Sequence, residues 1–451
     1  MRVRKLPQVL SVFDLSVLSS ASMGPAYSLA STMGPMVAAA GAYTPLSLVV
    51  LTAIMLCIAV AFARLCRRWP NAGSSYSWIR NAFGSRVGAY GAWLLILSNF
   101  FATMSIAIPA GTYTLDLISP QLAQQPTWDA GVGALWILGS SALLYAGLRP
   151  TALVTAAALA GEIAVLGITA VLAATRLHPV PTHAPSGVGA AGFIGAITLG
   201  IWMTDGWEVS ASTSEEARNR RSPGRGGLVG LLLTSTILCA CMWAYLPLGS
   251  TAGFTRHQAD AMTYIATLLG GSAWRYTIIA TVLISTCATL WTTLLYLSRS
   301  IFAMGRDGVL PSVLGTLDHR NEPLVSLIVV GTCVTVAELL TGFSETAAYQ
   351  LTTVLNISSV FLGLLFAFSA AAAVCAFWKD RGRDRITGVI VPAVGLLALL
   401  AVLIATVAFA DRRLQMYALG GTLLGIPFAA WRGWAARLDA LGGSLPTPTS
   451  G

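Results

Sequence analysis

The chain has 451 residues, of which 55% are hydrophobic and 10% are charged, and its mean hydropathy is +0.73. Because a soluble globular protein carries about 25% charged residues, this composition excludes a chain that faces water over its whole surface. The net charge of +9 would suggest nucleic-acid binding in a soluble protein, whereas a membrane protein uses basic residues to set its orientation. We therefore predict an integral membrane protein that contacts the lipid bilayer and no nucleic acid.

Apolar runs of about 20 residues, the length that spans the hydrocarbon core of a bilayer, recur along the whole chain. The uninterrupted runs are Leu46–Leu65, Val87–Leu115, Gly131–Leu148, Thr151–Ala174, Leu228–Leu248, Tyr276–Leu297, Leu324–Leu340, Ala347–Trp378, Val389–Ala410 and Leu414–Trp431. Two further apolar segments, Phe13–Ala42 and Gly189–Ala217, contain small and polar residues. No segment alternates apolar and polar residues as the strands of a membrane β-barrel do. The sequence therefore predicts an all-α integral membrane protein with about 12 transmembrane helices.

The basic residues predict the orientation of these helices. With the N terminus inside, most of the 27 Lys and Arg residues fall on the inner side, as expected when positive loops stay cytoplasmic. The basic residues that remain outside are Arg176, Arg256, Arg275, Arg412 and Arg413. Residues 1–12 then form a cytoplasmic lead. Residues 433–451, rich in Gly, Ser, Pro and Thr, form a cytoplasmic tail that we expect to be disordered.

Other classes of membrane protein are disfavoured by what the sequence lacks. The histidines (His178, His183, His257 and His319) fall in predicted loops without ligand spacing, and the cysteines have no metal-site spacing either. No glycine-rich phosphate-binding loop is present, so a membrane enzyme and a primary pump are disfavoured, and we expect no metal and no cofactor. An ion channel would need a repeated pore-loop sequence, and a sensor would normally carry a signalling domain.

Two of the predicted spans contain residues that interrupt a helix. The first interruption is at Gly24-Pro25 and the second is at Gly206, between Asp205 and Glu208. Proline removes a backbone donor and glycine adopts non-helical dihedral angles, although Gly24-Pro25 alone also fits a simple kink. A charged residue at the centre of a span costs about 2.5–3.5 kcal/mol. Acidic residues at the second interruption therefore predict a functional site.

Each interruption lies in the first span of a set of five. Residues 13–175 form the first set, residues 189–378 form the second, and residues 387–432 supply two more helices. Because five is an odd number, the two sets have opposite orientations. This is the inverted-repeat plan, in which two broken helices form a substrate site near the middle of the bilayer.

Four motifs resemble those of the amino acid–polyamine–organocation superfamily of transporters, in the same order and over nearly the whole chain. They are Gly24–Ala30 in helix 1, Trp69–Tyr76 after helix 2, Gly206–Glu208 with Ser214–Asn219 after helix 6, and Ser298-Arg299, Ala303–Gly308, Leu310-Pro311 and Pro323 around the loop after helix 8. Two residues depart from the pattern. Arg220 stands where the superfamily usually has proline, and Asp205 is unusual before the glycine, so the substrate subgroup stays open.

The resemblance implies a fold like that of the bacterial leucine transporter, with a 5+5 inverted repeat. It implies a permease, not an enzyme, that moves amino acids across the cytoplasmic membrane of a bacterium by alternating access. An acid in helix 5, described below, favours H+ as the coupling ion, with sodium left open. Transport of polyamines or amines, exchange of amino acids, and a sensor that does not transport are the alternatives. The chain would act as a monomer or a homodimer.

The resemblance also implies site residues, with unwound segments at Ser22–Ala26 and Trp202–Glu208. The predicted substrate-binding residues are Ala21, Ser22, Met23, Gly24, Ala26, Tyr27, Trp202, Thr204, Asp205, Gly206 and Trp207. Free amides at the start of the outer half of helix 1 suit a carboxylate, free carbonyls suit an ammonium, and the tryptophans would close over the ligand. Pro25 and Glu208 are expected to shape the breaks. Asp205 either binds a cationic group of the substrate or hydrogen-bonds the unwound backbone.

Glu162 lies in the middle of helix 5, in a segment that resembles helix 5 of cationic amino acid permeases. In those permeases a lysine at this position replaces the sodium ion. The acid therefore predicts a carrier of the coupling proton or half of a cation site with Thr286 and Thr289 of helix 8, unless it only hydrogen-bonds within the bundle. We expect Glu338, near the outer end of helix 9, to snorkel or to pack.

Overall fold

The computed structural model describes residues 8–146, 152–176, 189–318, 320 and 322–442. Outside these residues lie the start of the predicted lead (1–7), the end of the predicted tail (443–451), the stretch 147–151, and His178, His183 and His319. The described residues are mostly helical and contain no β-strand. The prediction of an all-α protein is confirmed.

The described ranges form 19 α-helices, some of them a single turn long. In chain order they are α1 (Val12–Met23), α2 (Pro25–Ala40), α3 (Thr44–Arg68), α4 (Ser74–Phe83), α5 (Ser85–Asp116), α6 (Pro120–Ala123), α7 (Pro126–Tyr145), α8 (Ala152–Thr175), α9 (Ala190–Met203), α10 (Val209–Ser212), α11 (Ser222–Tyr245), α12 (Thr251–Arg256), α13 (Ala261–Leu269), α14 (Ser272–Arg306), α15 (Leu324–Thr341), α16 (Ala347–Phe377), α17 (Gly382–Arg385), α18 (Val391–Phe409) and α19 (Arg412–Gly442).

Eight helical segments of the described chain are long and apolar enough to cross a membrane. They are Val12–Arg68, Ser85–Asp116, Leu153–Thr175, Ser222–Leu248, Ser272–Arg306, Leu324–Thr341, Ala347–Phe377 and Gly382–Phe409. The first of them contains α1, α2 and α3, and the apolar helix α9 is too short to count because it ends at the second interruption. Length and composition thus support the membrane class, while the count of 12 spans stays a prediction.

Proline and glycine set the helix ends near the two interruptions. A proline in the first turn of a helix costs no hydrogen bond, because an N–H group there has no helical partner, and α2 begins at Pro25. Gly24, with φ of +53°, ends α1 in the left-handed conformation that glycine adopts without strain. At the other end of α1, Ser11 and Asp14 form a reciprocal capping box.

Both parts of the first interrupted helix pack against one helix, α14, and so does α10. The face of α14 that meets them carries Ser285, Thr289 and Thr292, spaced so that they lie on one side of the helix. Apolar side chains on the periphery, such as Leu135 and Ile284, are exposed. The bundle is therefore polar along an internal line and apolar at its surface, as a protein in lipid requires.

The two interruptions touch each other. Gly206 has φ of +105°, and a Cβ atom there would lie 2.7 Å from both the carbonyl carbon and the carbonyl oxygen of Ser22. Likewise, a Cβ atom at Gly24 would overlap the hydroxyl of Thr289. Glycine is therefore required at both positions, by the backbone conformation and by the close approach of another element.

We expect Gly206→Ala to destabilise the protein by at least about 1–3 kcal/mol, because a side chain at this φ is strained and also meets the backbone of Ser22. Thermal unfolding of the purified protein in detergent measures the effect. Gly139→Ala is the matched control, since Gly139 lies inside α7 and an added Cβ there meets no atom within 4 Å. Equal melting temperatures for the two variants would contradict the close contact.

Candidate substrate and coupling site

The first break lies at Gly24, between α1 and α2. The carbonyl of Met23, just before it, accepts a hydrogen bond from Ser28 Oγ at 2.6 Å. Pro25 carries no N–H group, so the backbone donors of α2 that lack a helical partner begin at Ala26. In the interior of a membrane protein such donors need partners from the protein itself.

Glu162 of α8 and Ser285 of α14 provide those partners. Ala26 N donates to Glu162 Oε1 at 2.5 Å, and Tyr27 N donates to Ser285 Oγ at 3.1 Å. Ser285 Oγ in turn donates to Glu162 Oε1 at 2.7 Å. The carboxyl group thus lies at the N-terminus of α2, where the aligned peptide dipoles favour negative charge. The amides that we predicted to bind a substrate carboxylate are thus all used by the protein, with Ala26 N bonded to Glu162, Tyr27 N to Ser285 and Gly24 N to Ser20 O.

Thr286 and Thr289, the predicted partners of Glu162, have other contacts. Thr286 Oγ1 donates within α14 at 2.7 Å, and Thr289 Oγ1 is 3.3 Å from Ala21 O, which belongs to the break. Ser285, which the sequence analysis missed, is the residue of α14 that reaches Glu162. Its position four residues before Thr289 places it on the same helix face, but Thr286, three residues before Thr289, fits that face as well.

The second break covers residues 204–208, between α9 and α10. Thr204 Oγ1 donates back into α9 at 3.0 Å, and Glu208 Oε2 accepts a hydrogen bond from Gly206 N at 3.1 Å. Asp205 Oδ1 is buried and has no hydrogen-bond partner in the described part of the chain. Glu208 therefore stabilises the unwound backbone and neighbours the carboxyl group of Asp205, whose Oδ1 is a buried acceptor without a donor in the described residues.

The two tryptophans near the second break have different surroundings. Trp202 Nε1 donates to the hydroxyl of Tyr27 at 3.2 Å, and that hydroxyl donates to Ser105 O at 3.1 Å. These bonds connect α9, α2 and α5. Trp207 instead packs in an aromatic cluster, with its ring centroid 4.8 Å from that of Phe62. Both residues join the second interrupted helix to the first, Trp202 through its side chain and Trp207 through its backbone oxygen, which accepts a hydrogen bond from Ser19 Oγ of α1 at 2.9 Å.

Ion pairs and backbone hydrogen bonds close one end of this region. In the loop after α10, Glu216 pairs with Arg299 of α14, and Glu215 pairs with Arg306 of α14 at 3.6 Å. Leu10, just before α1, donates from its backbone N to Glu216 O at 3.0 Å. The entrance to α1, the loop after the second break and the end of α14 are therefore linked.

A loop between α12 and α13 covers the opposite end of α2. An added Cβ at Gly34 of α2 would lie 2.6 Å from Gln258 Cα, which shows how closely the loop approaches. In the same loop His257 Nδ1 is 3.1 Å from each carboxylate oxygen of Asp260. This hydrogen bond to Asp260 raises the pKa of His257. Protein thus covers both ends of the region around the breaks.

An apolar helical bundle in which two broken helices meet is the architecture of a membrane transporter. The chain belongs to the amino acid permease family, whose sequence model matches residues 10–419. It is therefore an integral membrane protein of an amino acid transporter family, and the resemblance noted from the four motifs is confirmed.

Individual relatives differ in what their names describe. The chain is 30% identical over 292 residues to the branched-chain amino acid permease BcaP of Lactococcus lactis, a match that spans 59% of this chain and 61% of that protein. It is 25% identical to the uncharacterized transporter Rv1999c of Mycobacterium tuberculosis, over 95% of this chain and 91% of that one. It is 26% identical to the vacuolar cationic amino acid transporter 4 of Arabidopsis thaliana, over 70% and 54%.

We expect Ser285→Ala to destabilise the protein by about 1–3 kcal/mol, because it leaves the buried amide of Tyr27 without a partner. Thr286→Ala is the matched control, since Thr286 is equally buried but bonds only within its own helix. We expect this control to have the smaller effect. Melting temperatures of both variants in detergent measure the difference, and an equal loss would contradict the placement of Ser285 at the break.

Proposed function

We propose that the protein is a secondary active transporter that moves amino acids across the cytoplasmic membrane of a bacterium by alternating access. The observation that carries this proposal is the contact between the two breaks, where Gly206 meets Ser22 and Trp202 bonds to Tyr27. Two broken helices that meet inside a bundle provide helix ends and free backbone groups for a charged substrate. A transporter needs such a site at a depth from which it can open first to one side of the membrane and then to the other.

The proposed topology has about 12 spans with both termini in the cytoplasm. Residues 13–175 and 189–378 are the inverted repeats, and residues 387–432 follow them. The positions of the interruptions support this plan, because α1 and α2 open the first set and α9 and α10 open the second. Under this plan α14 is helix 8, and its polar face lies beside the substrate.

The groups left free in the site favour a substrate with an ammonium group. The buried Oδ1 of Asp205 has no partner in the described residues, and a buried acceptor without a partner is costly. An ammonium would supply the missing donor. The relatives support amino acids in general, since one is described as a branched-chain permease and another as a cationic transporter. If Asp205 binds the α-ammonium group, neutral amino acids are substrates. If it binds a cationic side chain, the substrates are cationic amino acids.

Proton coupling follows from competition for the start of α2. The carboxylate of an amino acid and the carboxylate of Glu162 would both bind Ala26 N, and two like charges repel strongly in a low-dielectric interior. A proton on Glu162 removes its charge, so that the substrate carboxylate can replace it. After the substrate leaves, Glu162 loses the proton and returns to the amide. One proton would then accompany each substrate, with about 2.3 kcal/mol supplied per 100 mV of membrane potential.

Polyamine transport and amino acid exchange, the alternative functions, differ from this proposal in whether Glu162 must take up a proton. A polyamine has no carboxylate, so its binding would not require Glu162 to leave the amide of Ala26. Such a transporter would use Asp205 as the main contact. An exchanger would keep the site but would need no net proton movement.

We expect Glu162→Gln to abolish the acceleration of amino acid uptake by an inward proton gradient, because glutamine cannot carry a proton in and out. Labelled uptake into proteoliposomes measures this with a proton gradient, with a sodium gradient, and with unlabelled substrate trapped inside. Glu345→Gln is the control, because Glu345 is exposed and lies away from the breaks. Unchanged proton dependence in Glu162→Gln would remove its coupling role. Uptake by the unmodified protein only against trapped substrate would identify an exchanger.

We expect Asp205→Asn to lower the ratio of cationic to neutral amino acid uptake by about tenfold, which corresponds to about 1.4 kcal/mol. The reason is that a carboxylate attracts a cationic group more strongly than an amide does. Glu345→Gln is the control, because Glu345 is exposed and lies away from the breaks, so its loss should leave the ratio unchanged. Competition assays with a panel of amino acids and polyamines measure the ratio. An unchanged ratio in Asp205→Asn would exclude selection by charge at this residue.

A further inference from the structure

A second set of buried carboxyl groups lies away from the breaks, between α5, α7 and α15. Asp129 lies in the first turn of α7 and Glu338 lies in the last turn of α15, so both are at the same end of the bundle. Both side chains are 0% exposed. Because Glu338 is buried, its side chain does not snorkel to the membrane surface, and of the two expected roles only packing remains. Packing alone does not explain why this position is an acid.

Glycines allow the two carboxyl groups to enter the same gap. A Cβ atom at Gly133, one turn after Asp129 on α7, would lie 2.6 Å from Glu338 Oε1 and 2.9 Å from Ala107 O of α5. A Cβ atom at Gly111 of α5 would lie 2.5 Å from Asp129 Oδ1. The carboxyl groups therefore occupy space that side chains at positions 111 and 133 would fill.

Most of the polar atoms in this gap have no partner. Thr112 Oγ1 donates to Asp129 Oδ1 at 3.0 Å. Asp129 Oδ2 and both carboxyl oxygens of Glu338 have no hydrogen-bond partner among the residues that the structure describes. Next to them on α16, Gln350 is 1% exposed, and its Oε1 atom is also unpartnered there while its amide donates to Thr341. Thr341 in turn donates to the backbone oxygen of Glu338 at 2.6 Å.

The other charged or titratable side chains at this end of the packed helices are bound elsewhere. Asp116 of α5 pairs with Arg275 of α14 at 2.8 Å. The hydroxyl of Tyr113 of α5 accepts a backbone hydrogen bond at 3.2 Å, and that of Tyr349 of α16 accepts one from Arg413 at 3.1 Å. No ion pair found in the described ranges involves Asp129 or Glu338.

We propose that Asp129 and Glu338 form a proton-binding site, separate from the breaks, that holds at least one proton at neutral pH. Two unpaired carboxylates buried in the bundle repel each other and lose most of their hydration. A proton on one of them removes a charge and creates an O–H donor for the free oxygens of the gap. A divalent metal ion fits less well, because it takes six or more oxygen ligands and no group of three acidic, His or Cys side chains is present in the described chain.

This site gives the protein a pH response that does not depend on Glu162. At neutral pH the folded protein holds a proton that the unfolded chain has already lost, because Asp and Glu carboxyl groups in water ionise near pH 4, about three pH units lower. Stability therefore falls as the pH rises. The pair lies where α7 begins and α15 ends, so the nearest aqueous phase is the one at that end of the bundle. Deprotonation would separate α7 from α15.

The test uses the full-length protein in detergent and compares Asp129→Asn, Glu338→Gln and the double variant with Glu345→Gln. The last is the control, because Glu345 follows α15 closely in sequence but is exposed. We expect the melting temperature of the unmodified protein and of Glu345→Gln to fall from mildly acidic to alkaline pH. We expect this slope to be reduced in both single variants. Infrared spectra at neutral pH should show a protonated carboxyl band that weakens in at least one single variant and in the double variant, and that stays in Glu345→Gln.

Three results would overturn the proposal. The first is an unchanged pH slope and an unchanged carboxyl band in the double variant. The second is a melting temperature that sodium or potassium raises at constant pH in the unmodified protein but not in the variants, which would identify a metal cation as the ligand. The third is failure of both single variants to fold, because a neutral amide should replace a protonated acid without a large loss of stability.

Discussion

A helix that breaks inside a membrane exposes backbone amides that water cannot reach, and the structure around the first break follows from the need to satisfy them. Glu162 meets this need at Ala26, and Ser285 meets it at Tyr27 while donating to Glu162. One carboxyl group thus connects α2, α8 and α14. The same group would carry the coupling proton in the proposed cycle, because its bond to the amide is strongest when it is charged. A structural requirement and a transport step would therefore depend on one side chain.

The second break depends on the first through the shape of the backbone. Gly206 lies against the carbonyl of Ser22, and this approach is possible only without a side chain. Thr292 of α14 donates to Ser22 Oγ at 3.1 Å, so the same helix that supports Glu162 also positions the point of contact. A shift of α14 relative to α1 would therefore change both breaks together. Alternating access requires such coupling, since the site must open to one side as it closes to the other.

The features that the sequence predicted are those that residues determine through their own composition and backbone. The all-α class follows from composition, and the positions of the breaks follow from Gly24-Pro25 and Gly206, because proline and glycine act on their own backbone. The partner of Glu162 could not be predicted in the same way, because Ser285 and Thr286 are adjacent polar residues and only the rotation of α14 decides which one faces α8. The rotation results from packing between distant segments. The same reason applies to Trp207, whose place in an aromatic cluster with Phe62 depends on α3.

The buried acids of this bundle differ in how the protein neutralises them, and the difference indicates what each can do. Glu162 and Glu208 accept hydrogen bonds from amides at the breaks, so their negative charge is stabilised by the backbone that they hold in place. Glu338 has no such donor in the described structure, and Asp129 has only Thr112. An acid with backbone donors can lose and regain its proton during a cycle at moderate cost. An acid without them holds its proton more firmly, and its loss at high pH weakens the packing around it, so the first kind suits coupling and the second suits a response to pH.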